Sequence, residues 1–361
     1  MLTRLYIDNF RCFVNFEYRP ARTQLILGAN GSGKSSFIEA LLFLHRFAVQ
    51  GESIYGISML YQRTRWQSRP DQTFELEARL DGESYAYHLA IGPELERTRV
   101  KSEYVHLNGR PIFEFSNGEV RHYSDSFEPK PIYYPDDLYR SALSALGEGN
   151  DIRKLTRFRH WFRGLACFRM NPFVMAAMGD ECHINPSADL SDFAAWYNDL
   201  RRRYPTQNEA FLASLRAVFD GFEDLRFDWG PDSALEAWFA GETQFRFNEL
   251  SDGQRCLICL YAILHFVLAR GHTAILDEPD NFISLREIQP WLMAAEDAVE
   301  NSGGQILIIS HHPEIINQLA TSGGVRFVRD GIGPVRVEDF HYEPDSGLEP
   351  AELVARGWKN G

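Results

Sequence analysis

The stretch LILGANGSGKSSFIEALLFL, residues 25 to 44, limits what the chain can fold into more than any other. An apolar run ends in the loop Gly28–Ser35, of the form G-x-x-x-x-G-K-S, and an apolar helical stretch follows. That order of strand, loop and helix predicts a cradle for a nucleoside triphosphate. Gly28, Gly31 and Gly33 let the backbone amides turn toward an anion, and the helix N-terminus adds partial positive charge. Lys34 is expected to reach the β- and γ-phosphates, and the Ser35 hydroxyl to ligate Mg²⁺. With Asn30, Ser32 and Ser36 these residues form the expected contact set for ATP.

A second constellation stands far along the chain. TAILDEPD reads as a buried strand ending in acids: Asp277 is expected to hold the Mg²⁺ shell, and Glu278 to orient or deprotonate the attacking water. Before it, LSDGQ (Leu250 to Gln254) opens a helix of almost entirely apolar or small residues. Ser251 is a suitable N-cap, and Gly253 allows amides to approach an anion closely. After it, GGQILIISHHPEII is another buried strand, ending in His311 and His312. A lone histidine pair is usually structural; at a strand end beside the acids, an imidazole can sense a γ-phosphate.

YIDNFRCF, GANGSGKSS, LSDGQ, LDEPD and ISHHP occur in that order, and the series resembles the ABC-type ATPases of the SMC, RecF and OLD group. The resemblance runs the length of the chain, loosely in the middle. It implies an α/β fold: a P-loop ABC-ATPase head with a mixed sheet, a flanking antiparallel β-sheet and an inserted helical lobe. It also implies a homodimer or higher oligomer, in which Ser251 and Gly253 contact the γ-phosphate held by Lys34, Ser35, Asp277 and Glu278 of another copy. EPDNF matches the D-loop that crosses such an interface, with Asp280 its polar contact, and His311 rather than His312 matches the switch histidine. The group's arginine in the opening strand matches Arg11, read equally as a nucleotide contact or a surface residue. The Q-loop glutamine has no clear match; Gln62, Gln67 and Gln72 all lie near the expected region.

Between the two halves, FELEARLDGESYAYHLAIG and YVHLNGRPIFEFSNGEVRHY alternate around Asp-Gly and Asn-Gly pairs, which predicts antiparallel hairpins. From about Asp137 to Phe222 the pattern turns helical, and no heptad persists long enough for a coiled coil. The expected domains are 1–135, an N-terminal ATPase lobe; 136–240, a helical insert; and 241–361, a C-terminal ATPase lobe. Two basic groups fall in the insert, RKLTRFRHWFRGLACFR and the triplet Arg201 to Arg203. Such groups bind nucleic acid in some proteins and are solvated faces in more.

Fifty acidic against 37 basic residues give a net charge of −13, which argues against a protein coating nucleic acid over its whole surface. No apolar run is expected to span a bilayer, no signal-peptide pattern opens the chain, and five scattered cysteines suit a reducing cytoplasm. Cys256-x-x-Cys259 reads as core, and DECH (Asp180 to His183) as structural, since no second ligand pair follows. The tail VRVEDFHYEPDSGLEPAELVARGWKNG reads as a strand, a polar turn and a short helix, without the acidic constellation of a TOPRIM nuclease. It resembles the end of stand-alone ATPases encoded beside a separate TOPRIM-type nuclease in bacterial defence loci. The expected function is an ATP-hydrolysing switch acting on such an effector. The alternative is a RecF-like, ATP-dependent DNA clamp; the ATPase of a membrane transporter fits the opening and the insert less well.

Overall fold

The computed structural model describes residues 1–57, 62–94, 97–178, 185–228, 233–342 and 347–356. The chain opens with β1 (Leu2–Asp8), β2 (Phe16–Tyr18), β3 (Thr23–Leu27) and α1 (Lys34–Ala48). Five strands follow: β4 (Gln72–Leu80), β5 (Glu83–Glu94), β6 (Arg97–Leu107), β7 (Arg110–Ser116) and β8 (Glu119–His122). The middle holds α2 (Ala142–Ala145), α3 (Arg153–Arg163), β9 (Leu165–Phe168), α4 (Phe193–Arg203) and α5 (Pro205–Val218). Strands β10 (Phe222–Phe227), β11 (Leu235–Phe239) and β12 (Thr243–Arg246) lead to α6 (Asp252–Phe266), β13 (Thr273–Asp277) and α7 (Leu285–Ser302). The chain continues through β14 (Gln305–Ile309), α8 (Pro313–Gly323), β15 (Gly324–Arg329), β16 (Val335–Asp339) and α9 (Pro350–Ala355).

These elements form two compact units, each drawn from three stretches of chain. The first comprises Met1–Ala21, Gly28–Leu165 and Val325–Asp339; the second comprises Arg22–Leu27, Ala166–Gly324 and Phe340–Gly361. The expected divisions at 135/136 and 240/241 follow chain order, whereas these units interleave.

The first unit is built on a seven-stranded antiparallel sheet of order β2-β1-β4-β5-β6-β7-β8. Its tight turns are those the Asp-Gly and Asn-Gly pairs predict. Asp81-Gly82, Asn108-Gly109 and Asn117-Gly118 all have positive φ at both positions, the backbone whose twist matches the flanking strands. Phe74, Leu76 and Ala78 alternate inward along β4, and Phe43 of α1 meets Phe74 with ring centroids 5.0 Å apart. Tyr18, Phe37 and Phe327 form a mutual edge-to-face trio at 5.6 Å, placing α1 against the β15–β16 hairpin.

In the second unit β3, β14 and β13 run parallel, with Leu25 opposite Ile308 and Ile308 opposite Leu276, and β9 flanks β13. Both faces of these strands are covered, which is why they read as unbroken apolar runs. The stretch Asp252–Arg270 is long and apolar enough to cross a membrane, contrary to expectation from the sequence. Most of it is buried in this unit's core, and that burial accounts for its apolarity. The fully buried Trp291 of α7 donates its indole N–H to Leu260 O of α6 at 2.9 Å. Helices α4 and α5 join the same core, with Phe211 5.5 Å from Phe266.

The stretch read as helical is therefore interrupted. Strand β9 splits α3, in the first unit, from α4 and α5 in the second, and β10–β12 form a small antiparallel sheet. LACF is only four residues long, and periodicity cannot separate so short an apolar run from helix. Of the expected tail, the strand is β16 and the short helix is α9, and the polar turn between them falls partly outside the described residues.

Candidate functional site

The phosphate cradle lies in the first unit. Gly33 caps α1 with φ of 102°, and a Cβ there would stand 2.7 Å from Val335 Cγ2 and 3.1 Å from Cys12 Sγ. Only glycine fits that backbone and that space. A Cβ on Gly28 would stand 2.5 Å from Ser32 Oγ and 2.7 Å from Phe327 O. Helix α1 starts with no side-chain cap and no acid in its first turn. The buried Ser32 hydroxyl has no hydrogen-bond partner within the described structure. A positive helix end without a side-chain cap and an orphaned hydroxyl together suit a phosphate chain.

Lys34 folds over the loop and donates to Gly28 O at 2.5 Å and Ala29 O at 3.2 Å. Asn30, Gly31 and Ser35 are exposed, and Ser36 is half-buried. Arg329 braces the loop tip: it donates to Gly31 O at 3.3 Å, to Gly333 O at 2.7 Å and to Ile332 O at 2.9 Å. Its guanidinium also lies 5.2 Å from the ring centre of Trp66.

Arg11, expected either as a nucleotide contact or as a surface residue, has its guanidinium in an ion pair with Glu39 of α1. Its own backbone sits at φ of 50° and donates to Gln62 O at 2.8 Å. Gln67 donates to Asp8 Oδ1 at 2.8 Å, and Gln72 to Asn9 O at 2.9 Å. Both amides thus tie the chain to the end of β1.

The acids lie in the second unit at the end of β13. Asp277 accepts a 2.6 Å hydrogen bond from Arg169 Nε, and its side chain is 12% exposed. Glu278 is exposed and adopts φ of 50°, a strained value for a residue with a Cβ. Its N–H donates to Ile309 O at 2.8 Å, and its carboxylate accepts from Asn281 Nδ2 at 2.9 Å. Asp280, expected to face a partner copy, accepts from Ser310 Oγ of its own chain at 2.6 Å.

The two histidines separate in role. His312 caps α8, its Nδ1 accepting from Glu314 N at 3.3 Å, while His311 is exposed at the end of β14. Ser251 caps α6 reciprocally with Gln254. A Cβ on Gly253 would stand 2.7 Å from Phe282 O, so the helix start and the loop after the acids touch there. Beside them Phe282 and Phe173, 48% and 72% exposed, meet edge to face at 5.5 Å.

Arg169 is the contact that sequence reasoning missed. In the sequence it is only one member of a basic run, because the strand β9 that it directly follows is not legible there. The remaining basic residues are largely engaged within the chain. Arg157 pairs with Glu83 at 3.1 Å, Arg159 donates to Leu146 O at 2.6 Å, and Lys154 to Asp125 O at 2.8 Å. Arg203 pairs with Asp199 at 2.7 Å, and Arg201 lies over Phe227. The Asp180–His183 cluster lies outside the described residues.

The fold is that of SMC head domains. The head from Pyrococcus furiosus with an extended coiled coil, bound to the C-terminal domain of ScpA, is 12% identical; 99% of each chain is covered at a TM-score of 0.57. An SMC head bound to the C-terminal winged-helix domain of ScpA is 13% identical, covering 96% of this chain and 99% of that one at a TM-score of 0.55. No protein of curated function matches the sequence. The profile of the family described as "AAA domain, putative AbiEii toxin, Type IV TA system" matches residues 25–317, which include the cradle, the capped helix start, the acids and both histidines. The chain belongs to that AAA-domain family.

Proposed function

We propose that two copies of this chain close around ATP and Mg²⁺, and that hydrolysis reopens them to switch a separate effector protein, a nuclease, in bacterial defence against phage. Lys34 and the α1 amides hold the β- and γ-phosphates, with Asn30, Gly31, Ser32, Gly33 and Ser36 lining the cradle. The hydroxyl of Ser35 and the carboxylate of Asp277 are the oxygens that hold Mg²⁺, a hard cation that takes oxygen ligands. When bound, Mg²⁺ neutralises phosphate charge. Glu278 takes the proton of the attacking water, and His311 faces the departing γ-phosphate. Ser251 and Gly253 contribute from the other copy.

The observation that carries the dimer is the exposed Phe173–Phe282 pair beside Ser251 and Gly253. An apolar patch bordering groups with charge-binding chemistry is what an association surface requires. The toxin named in the family description supports a role in conflict with other genetic elements, and the ScpA-bound heads support a protein partner. The internal pairing of Arg157, Arg159 and Arg203 favours this reading over a DNA clamp.

The test is Glu278→Gln with saturating ATP and Mg²⁺, followed by light scattering after size exclusion. A stable dimer is expected, and Lys34→Ala should remain monomeric under the same conditions. A Glu278→Gln protein that binds ATP yet stays monomeric refutes the closure.

A further inference from the structure

The geometry points to Arg169 as an exchangeable counter-ion of Asp277: its guanidinium neutralises the carboxylate until a divalent cation takes that place. The inference rests on the assignment of Asp277 as a metal ligand made above. Asp277 Oδ2 accepts from Arg169 Nε at 2.6 Å, a charge-assisted contact on a side chain only 12% exposed. A carboxylate so enclosed requires a cation, because an unpaired charge there is costly.

The arginine is held so that its head can leave without its backbone moving. Its N–H donates to Ala188 O at 2.6 Å, and two residues on Asn171 N donates to Asp189 O at 3.1 Å. The turn that receives them is itself locked, with Ser187 Oγ donating to Asp192 Oδ1 at 2.6 Å. The Arg169 side chain, by contrast, is 45% exposed, so its long stem has solvent to swing into. Guanidinium and divalent cation compete for the same oxygens, and mutual repulsion prevents both from holding them closely. Arg169 is therefore a positioning residue that sets how readily the acid accepts metal, and it keeps Asp277 ordered without metal.

The experiment measures Mn²⁺ binding to the full chain without nucleotide, by electron paramagnetic resonance, for wild type, Arg169→Gln, Arg169→Lys and Asp277→Asn. Exchange predicts about tenfold tighter Mn²⁺ binding in Arg169→Gln, the effect of losing one charge-assisted pair. Arg169→Lys, whose point charge pairs less well with a carboxylate, should fall between that variant and wild type. In metal-free buffer Arg169→Gln should melt at a lower temperature than wild type, and Mn²⁺ should restore more of its stability. Unchanged or weaker Mn²⁺ binding in Arg169→Gln overturns the proposal, since an arginine that merely orients Asp277 for metal gives that result. If Arg169→Gln does not fold, Arg169→Lys decides alone: affinity equal to wild type overturns exchange. Should Asp277→Asn bind Mn²⁺ as wild type does, the metal-ligand assignment itself falls, a failure distinguishable from that of exchange.

Discussion

Ser310 Oγ donates to Asp280 Oδ1 at 2.6 Å and accepts from His312 N at 2.9 Å, so one hydroxyl joins the loop after the acids to the turn that carries His311. Removing it leaves a partly buried carboxylate short of a donor and loosens both segments. Ser310→Ala should cost about 1–2 kcal/mol of stability. It should also lower ATP turnover roughly tenfold, the effect of about 1.4 kcal/mol on a barrier. Urea unfolding and phosphate release measure the two; full turnover with the stability loss present would show that the link is only architectural.

Gly33 and Lys34 are adjacent but should fail differently. Gly33→Ala forces a left-handed backbone and a contact 2.7 Å from Val335 Cγ2, so about 1–3 kcal/mol of stability should be lost. Lys34→Ala removes a half-buried cation that donates to loop carbonyls, and should melt close to wild type while losing ATP binding. Calorimetric titration beside thermal melting separates the two. A Gly33→Ala protein as stable as wild type would contradict the close packing described.

Trp291 anchors α7 to α6 by one hydrogen bond to Leu260 O. Trp291→Phe keeps most of the apolar volume but removes that carbonyl's side-chain donor, and should cost about 0.5–1.5 kcal/mol. Trp291→Ala also opens a cavity and should cost about 3–5 kcal/mol. A difference between the two variants near zero in chemical denaturation would mean that the ring adds nothing beyond its N–H.

Acid should destabilise the protein before its carboxylates titrate. Burial pushes His45, His265 and His272 down from the ordinary 6.5 to about 4. Between those values the unfolded chain takes up protons that the folded one refuses, so stability falls as pH falls. Lowered carboxylates such as Glu75, paired with His88 and Arg4, add their loss only lower, below their ordinary 4.5. Glu103 acts in the opposite sense, since burial raises its folded value and its contribution is lost as pH rises. Melting temperatures should therefore drop from pH 6.5 downward. His272→Gln should flatten that slope; an unchanged slope would remove His272 from the account.

The parts of the fold legible in the sequence are those fixed by neighbours along the chain. Asn108-Gly109 and Asn117-Gly118 dictate their turns locally, Gly33 announces its own backbone, and Asp277 follows a strand too apolar to be anything but buried. What was not legible depends on partners distant in sequence. Nothing in LACF distinguishes a strand from a helical turn until β13 lies beside it, and so nothing marks Arg169, 108 positions before Asp277, as its partner. The same applies to the expected glutamine. Gln67 and Gln72 are placed by chain distance from the loop, and their amides answer to β1.

The reciprocal cap at Ser251 has one more implication. Its oxygen takes the Gln254 N–H at 3.3 Å by a lone pair, so the cap does not use the hydroxyl hydrogen. One O–H group can thus hold its own helix by its lone pair while offering its proton to a neighbouring molecule. An aspartate substituted there would still secure the helix, yet meet any incoming anion with repulsion, so architecture and recognition become separable at a single atom.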